Sequence, residues 1–263
     1  MTSIAQAARA VLEAGEPRTK VRLARAAARA WRRGELDHAF DMSMPDAPAR
    51  PDKPDLLPPN RMPKRGKGGS ERGRVALLHA LAHIEFSTID LAFDMAGRFG
   101  AEFPRGFVDD WLSVGADEAM HFAILDRRLR ALGSGYGDLP AHAGLWEAAA
   151  TTAGDVMGRL AVVPMVLEAR GLDVTPETVA RFETAGDRKS ARILHRIYTD
   201  EVRHVGIGVK WFGARAADAG VEPAPLWREK VRRYFRGPIK PPFNDSARDQ
   251  AGLTREFYEL IAC

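Results

Sequence analysis

Four glutamates and two histidines are spaced as metal ligands: Glu85, then Glu118 with His121, then Glu168, then Glu201 with His204. Glu85 to Glu118 and Glu168 to Glu201 both span 33 residues, so one half-site is written twice. In a helix, residues three apart lie about one turn along the same face. Each Glu-x-x-His pair can therefore present a carboxylate and an imidazole to one point, with Glu85 and Glu168 each adding a carboxylate. Leu78, Leu81, Ala82, Phe86 and Ile89 surround Glu85, and Val162, Val163, Met165, Val166 and Leu167 precede Glu168, so both are expected to be buried. A buried carboxylate without compensation is strongly unfavourable or takes up a proton. Two divalent cations balance four carboxylates, and two imidazoles complete the ligand set. One Glu-x-x-His on a helix is ordinarily surface decoration; two copies at equal spacing from an apolar-flanked Glu point to a two-metal site.

Other residues near these positions carry weaker signals. Asp117 and Asp200 lie four residues before His121 and His204, so each can orient an imidazole through its second nitrogen, or simply face solvent. Tyr198, one turn before Glu201, reads as a hydrogen-bond donor or redox-active phenol, or as a core tyrosine. Gly206 and Gly208 either open space beside His204 or permit close helix packing. His79 and His83 are offset from the face of Glu85, but form an i, i+4 pair able to take a weak surface metal. His38, His142 and His195 are not assigned as ligands.

The elements that must position these residues are helices. Helices are expected from about Ser3 to Glu13 and Pro17 to Arg33, the second with Arg22, Arg25, Arg29, Arg32 and Arg33 as a basic face. Residues 41–70 form a proline-rich strap. Its segment PKRGKGGSERGR lacks both the order and the preceding strand of a phosphate-binding loop. Long helices follow over about Glu71–Phe99 and Phe103–Leu132, antiparallel because their connection is short. After a loop from Gly133 to Gly144, a third helix covers about Leu145–Leu172 with a kink at Pro164. Thr175-Pro176 starts a short helix to about Thr184, and Asp187 caps a fourth long helix to about Ala217. No segment alternates as a strand does. From Gly220 a proline-rich tail, anchored by Trp227, Tyr234, Phe235 and Phe243, leads to a closing helix over about Ser246–Ile261. The expected division is an N-terminal helical hairpin (1–40), the strap (41–70), a four-helix bundle (71–219) and a wrapping tail with its helix (220–263).

The totals exclude several chemistries. With 39 Lys and Arg against 35 Asp and Glu, the net charge of +4 is a mild bias that permits nucleic acid without implying it. The only cysteine, Cys263, rules out an internal disulfide and a four-cysteine iron centre within one chain. The N-terminus has no apolar signal core. The apolar run Leu160–Leu167 is far below the roughly 20 residues that span a bilayer. The expectation is a soluble cytoplasmic protein with no membrane partner.

The blocks HALAHIE, DEAMHFAILDRRLRALGSGYGDLPAHAGLWEA, RLAVVPMVLEARGLDVTP, YTDEVRHVGIG and KPPFNDSARDQAG resemble the ferritin-like superfamily of carboxylate-bridged di-iron proteins. The closest likeness is to a domain-of-unknown-function family within it, akin to tRNA-hydroxylase-like and rubrerythrin-like proteins. The resemblance covers about Asp46 to the C-terminus. It implies an all-α, ferritin-like four-helix bundle with Glu85, Glu118, His121, Glu168, Glu201 and His204 as ligands. Glu201-Val-Arg-His keeps the superfamily's E-x-R-H form, whereas Glu118-Ala-Met-His carries Met120 in place of the arginine.

The activity expected from this likeness is that of a di-iron oxidoreductase that activates dioxygen and hydroxylates an organic substrate, a small molecule or a modified nucleoside. Glu118 and Glu201 would bridge two iron ions, with Glu85 and Glu168 terminal or bridging. An external electron donor of unknown identity is required, and a homodimer is compatible. The alternatives are a non-catalytic metal-binding or iron-storage protein, and a manganese or iron enzyme that scavenges peroxide. A nucleic-acid partner through Arg22, Arg25 and Arg29 is a lesser expectation.

Overall fold

The computed structural model describes residues 2–63 and 69–262. The centre of the phosphate-loop-like segment, residues 64–68, and Cys263 lie outside the described residues. The fold is an all-α helical bundle, in the order α1 (Ile4–Leu12), α2 (Pro17–Arg32), α3 (Glu71–Phe99), α4 (Arg105–Ala131), α5 (Gly144–Ala150), α6 (Val156–Val162), α7 (Ala169–Thr184), α8 (Arg188–Asp218), α9 (Pro223–Tyr234), α10 (Asp245–Gln250) and α11 (Arg255–Tyr258). Against the expectation of no strand, Thr2–Ser3 pairs in parallel with Leu36–Asp37. Strands of two residues are too short to leave an alternating pattern. The chain divides into two compact units, Met1–Trp146 and Glu147–Cys263.

In the first unit, α3 starts at Ser70, whose hydroxyl accepts from the Gly73 N–H, and α4 ends at Gly133 with φ +76°. A 3₁₀ turn over Gly100–Glu102 joins the two helices as antiparallel neighbours. Gly115 permits their close approach, since a Cβ there would fall 2.6 Å from the Phe93 ring. The window of Glu71–Glu102 is long and apolar enough to cross a membrane. However, 67% of it is buried inside the protein, as in the core helix of a soluble fold.

The hairpin α1–α2 is fastened to this pair by charge. Lys20 and Asp90 form a fully buried ion pair, and Arg50 of the strap donates to the other carboxylate oxygen of Asp90 at 2.6 Å. Lys20 and Arg50 also lie over the Phe86 ring, 5.3 and 5.7 Å from its centroid. Removing one member of such a group leaves an uncompensated buried charge, at about 3–5 kcal/mol. The expected arginine face of α2, Arg22, Arg25, Arg29, Arg32 and Arg33, is exposed.

In the second unit the third helix departs from expectation. It is interrupted after α5, resumes at α6, where the Asp155 carboxylate caps Gly158, and passes through a π-helical segment, Val163–Glu168, into α7. The irregularity expected at Pro164 is present as this change of register. Pro176 does not begin a new helix; it lies inside α7. Its ring removes the donor that Leu172 O would meet one turn earlier, and Asn244 Nδ2 of the tail donates to that carbonyl instead, at 3.1 Å. Trp227 Nε1 similarly donates to Ala161 O at 3.2 Å, beside the π segment. Asp187 caps α8 as expected. The tail also holds a helix that its prolines hid, α9, with Pro223 and Pro225 in the first turn, where proline is tolerated. The closing helix expected over Ser246–Ile261 is broken into α10 and α11 by Gly252 at φ +77°.

Asp155 joins the tail to the start of α6. Lys230 Nζ lies 2.7 Å from its Oδ2, and the Tyr234 hydroxyl donates to the same oxygen at 3.0 Å. Burial pushes this carboxyl up, but the bonds from Lys230, the Gly158 N–H and Tyr234 outweigh it and hold the pKa below the ordinary aspartate value. The carboxylate therefore stabilises the fold above the unfolded-state pKa, and that contribution disappears as pH falls through the folded-state pKa. Asp155→Asn keeps a capping oxygen but loses the charge. It is expected to lower unfolding free energy by about 1 kcal/mol at pH 7, with the gap to the wild type closing below about pH 4 in denaturant titrations.

Candidate metal centre

Helices α3 and α4 bring Glu85, Glu118 and His121 together. Each offers a ligand atom, and these atoms lie within 4.8 Å of one another. His121 Nδ1 is 3.1 Å from Glu85 Oε2 and 3.6 Å from Glu118 Oε2, and all three side chains are buried. Burial, reinforced by the charge of Glu118, raises the Glu85 carboxyl well above the usual carboxylate range. Burial alone would depress the His121 imidazole, but the hydrogen bonds of Glu118 and Glu85 raise its pKa to about 11. In the absence of a cation, protons supply the positive charge that this cluster demands.

The second unit repeats the local geometry on α8. His204 Nδ1 lies 3.4 Å from Glu201 Oε1, the same nitrogen facing the same motif position as in the first copy. His204 is fully buried and Glu201 is largely so. Glu168 is buried at the last position of the π segment. That segment is seated by Gly208, one turn beyond His204, where a Cβ would come within 2.5 Å of the Pro164 ring. Close packing, rather than open space, therefore accounts for Gly208. Oxygen and nitrogen donors of this kind could hold a divalent metal ion.

The Asp200 carboxylate accepts from Arg196 Nε at 2.7 Å, and Arg203 Nη2 lies 3.4 Å from His204 Nε2. Asp117 is partly buried on α4. The Tyr198 hydroxyl accepts from Asn244 Nδ2 at 3.0 Å, which ties the tail to α8 one turn before Glu201. Thr88 went unnoticed in the sequence. Its hydroxyl reaches Glu118 Oε2 and the Glu85 carbonyl, both at 2.9 Å. The available signal was its position three residues after Glu85, on the same helix face.

The surface-metal expectation for His79 and His83 is overturned, because both rings are buried and used to hold the loop before α5. His79 Nε2 accepts from the Gly137 N–H at 3.0 Å. His83 Nε2 donates to His142 O at 3.1 Å, and its Nδ1 lies 2.9 Å from the Tyr136 hydroxyl. Burial, with Arg50 adding to it, lowers the His83 pKa to about 4. Tyr136 packs against both imidazoles and against Phe86 and Phe122.

Thr88→Val is nearly isosteric and removes the donor to Glu118. Iron(II) affinity, measured by chelator competition, is expected to fall about 10–100-fold while the helical circular dichroism spectrum is retained. An unchanged affinity would show that Thr88 does not orient Glu118.

A relative from Haemophilus influenzae, described as an uncharacterized protein, is 43% identical over 219 residues, covering 81% of this chain and 76% of its own length. No solved structure matches. The family model described as "Protein of unknown function (DUF455)" matches residues 13–259, and the chain belongs to that family.

Proposed function

We propose that the chain is a ferritin-like, dinuclear-metal oxidoreductase that activates dioxygen to hydroxylate an organic substrate, with its ligands supplied by two equivalent half-sites. The observation that carries this reading is the duplicated geometry: a buried imidazole presenting Nδ1 to the glutamate three residues before it, at 3.6 Å in one copy and 3.4 Å in the other. Glu85, Glu118 and His121 would hold one metal, and Glu168, Glu201 and His204 the other. Iron bound by these residues would supply the redox and Lewis-acid chemistry.

The chain's own residues would set the conditions for that chemistry. Buried helix faces exclude bulk water, which strengthens every charge interaction within the site. Thr88 donates to Glu118 Oε2, the oxygen that also faces His121 Nδ1, and Arg203 Nη2 lies 3.4 Å from His204 Nε2. Hydroxylation inserts one oxygen atom into a substrate C–H bond and releases the other as water, consuming two electrons and two protons. One cysteine cannot build an iron–thiolate relay within the chain, and the electrons would come from a separate donor.

The test is oxygen consumption by protein loaded with iron(II) under anaerobic conditions. About one dioxygen per iron pair is expected within seconds, with a change in near-ultraviolet and visible absorption, and both are lost in Glu118→Gln and Glu201→Gln. Loaded protein inert to dioxygen would contradict the reading. Oxygen release from peroxide by a manganese-loaded sample would move the assignment to peroxide scavenging.

A further inference from the structure

The second unit contains a cavity of about 250 Å³ that the proposed metal chemistry does not use. One wall is Met165, Val166 and Leu167 of the π segment, and the other is formed by Phe235, Ile239 and Phe243 of the tail. Apolar walls of this kind take an organic body, and the volume falls just under the roughly 300–1,000 Å³ of drug-sized sites, so the occupant is small.

The polar part of the lining is unbalanced. Arg170, Lys240 and Arg248 contribute three cations against the single carboxylate of Asp173, a surplus of two positive charges. Arg248 is buried, with Nε and Nη2 held by Asp173 at 2.8 and 2.7 Å, and its guanidinium lies 5.0 Å from the Phe243 ring centroid. Those bonds fix the fork and leave Nη1 as the donor for an incoming acceptor. Arg170 is also committed, since its Nη1 donates to Lys240 O and Pro242 O at 3.0 Å each. It thereby holds the backbone that carries Lys240. Among the described residues no carboxylate pairs with the Lys240 ammonium.

We propose that this cavity binds a small apolar monocarboxylate, its carboxylate met by Lys240 and Arg248 and its hydrocarbon body lying between the π segment and Phe235 and Phe243. A neutral ligand would give Lys240 and Arg248 no charged acceptor, and Arg170 is already turned to the tail carbonyls. A bare inorganic anion would leave the apolar walls unfilled.

Binding to the full-length protein can be measured by calorimetry with hexanoate and benzoate, with benzamide and inorganic phosphate for comparison. Both carboxylates are expected to bind with submillimolar dissociation constants, and benzamide and phosphate at least tenfold more weakly. Lys240→Met, at an exposed position that does not threaten folding, is expected to weaken benzoate at least tenfold and to leave benzamide unchanged. Ile239→Trp, which fills the cavity, is expected to abolish binding of both carboxylates. No carboxylate binding at 5 mM, equal binding of benzoate and benzamide, or benzoate affinity unaltered by Lys240→Met would each overturn the proposal. The titration needs no metal, so failure of the dioxygen chemistry would leave this result standing, and the reverse.

Discussion

The constraint on which the structure depends is the placement of carboxylates inside apolar helices. A carboxylate removed from water must acquire a proton, a hydrogen-bonded cation or a metal. Helix α3 does this in two ways. Asp90 is matched by Lys20 and Arg50, so that its charge fastens the N-terminal hairpin and the strap to the core. Glu85, little more than one turn earlier, is paired with Glu118 around the His121 imidazole, whose pKa the two carboxylates hold at about 11. The first arrangement is closed by fixed protein charges. The second has no fixed protein cation among its three members, so its charge would be answered by protons or by a divalent cation.

The remaining architecture of each unit serves to hold such groups in place. In the first, Gly115 brings α4 against Phe93 one turn before Glu118, and Thr88 links Glu118 to the backbone of Glu85. In the second, Gly208 receives Pro164, the register change that follows ends on Glu168, and the tail satisfies the carbonyls that the prolines and the register change disturb. Asn244 serves twice, donating to Leu172 O and to Tyr198. The tail is therefore a structural part of the element that carries Glu168, and it also forms one wall of the cavity beside it.

The helical placement and burial of the motif glutamates and histidines were legible in the sequence because their signal is local: three-residue spacing defines a helix face, and apolar neighbours foretell burial. The helix start near Glu71, the Asp187 cap and the stop before Gly133 were legible for the same reason, since such signals act within one turn. What escaped depends on distant partners. Thr-Pro at 175–176 reads as a helix start, and only Asn244, far along the chain, makes an interior proline tolerable there. His79 and His83 read as a surface pair because the loop that consumes their nitrogens lies more than fifty residues away. Helix α9 was hidden by prolines that sit at its first turn, where they do no harm.

The central claim, two metals held by two equivalent half-sites, is tested most directly by metal stoichiometry. Full-length protein from iron-supplemented cells, purified without added metal, can be analysed by mass spectrometry of the metals against amino-acid quantitation. About two iron or manganese ions per chain are expected, and fewer in folded Glu118→Gln and Glu201→Gln. A single zinc per chain, or less than one transition metal after anaerobic reconstitution with iron(II), would contradict it.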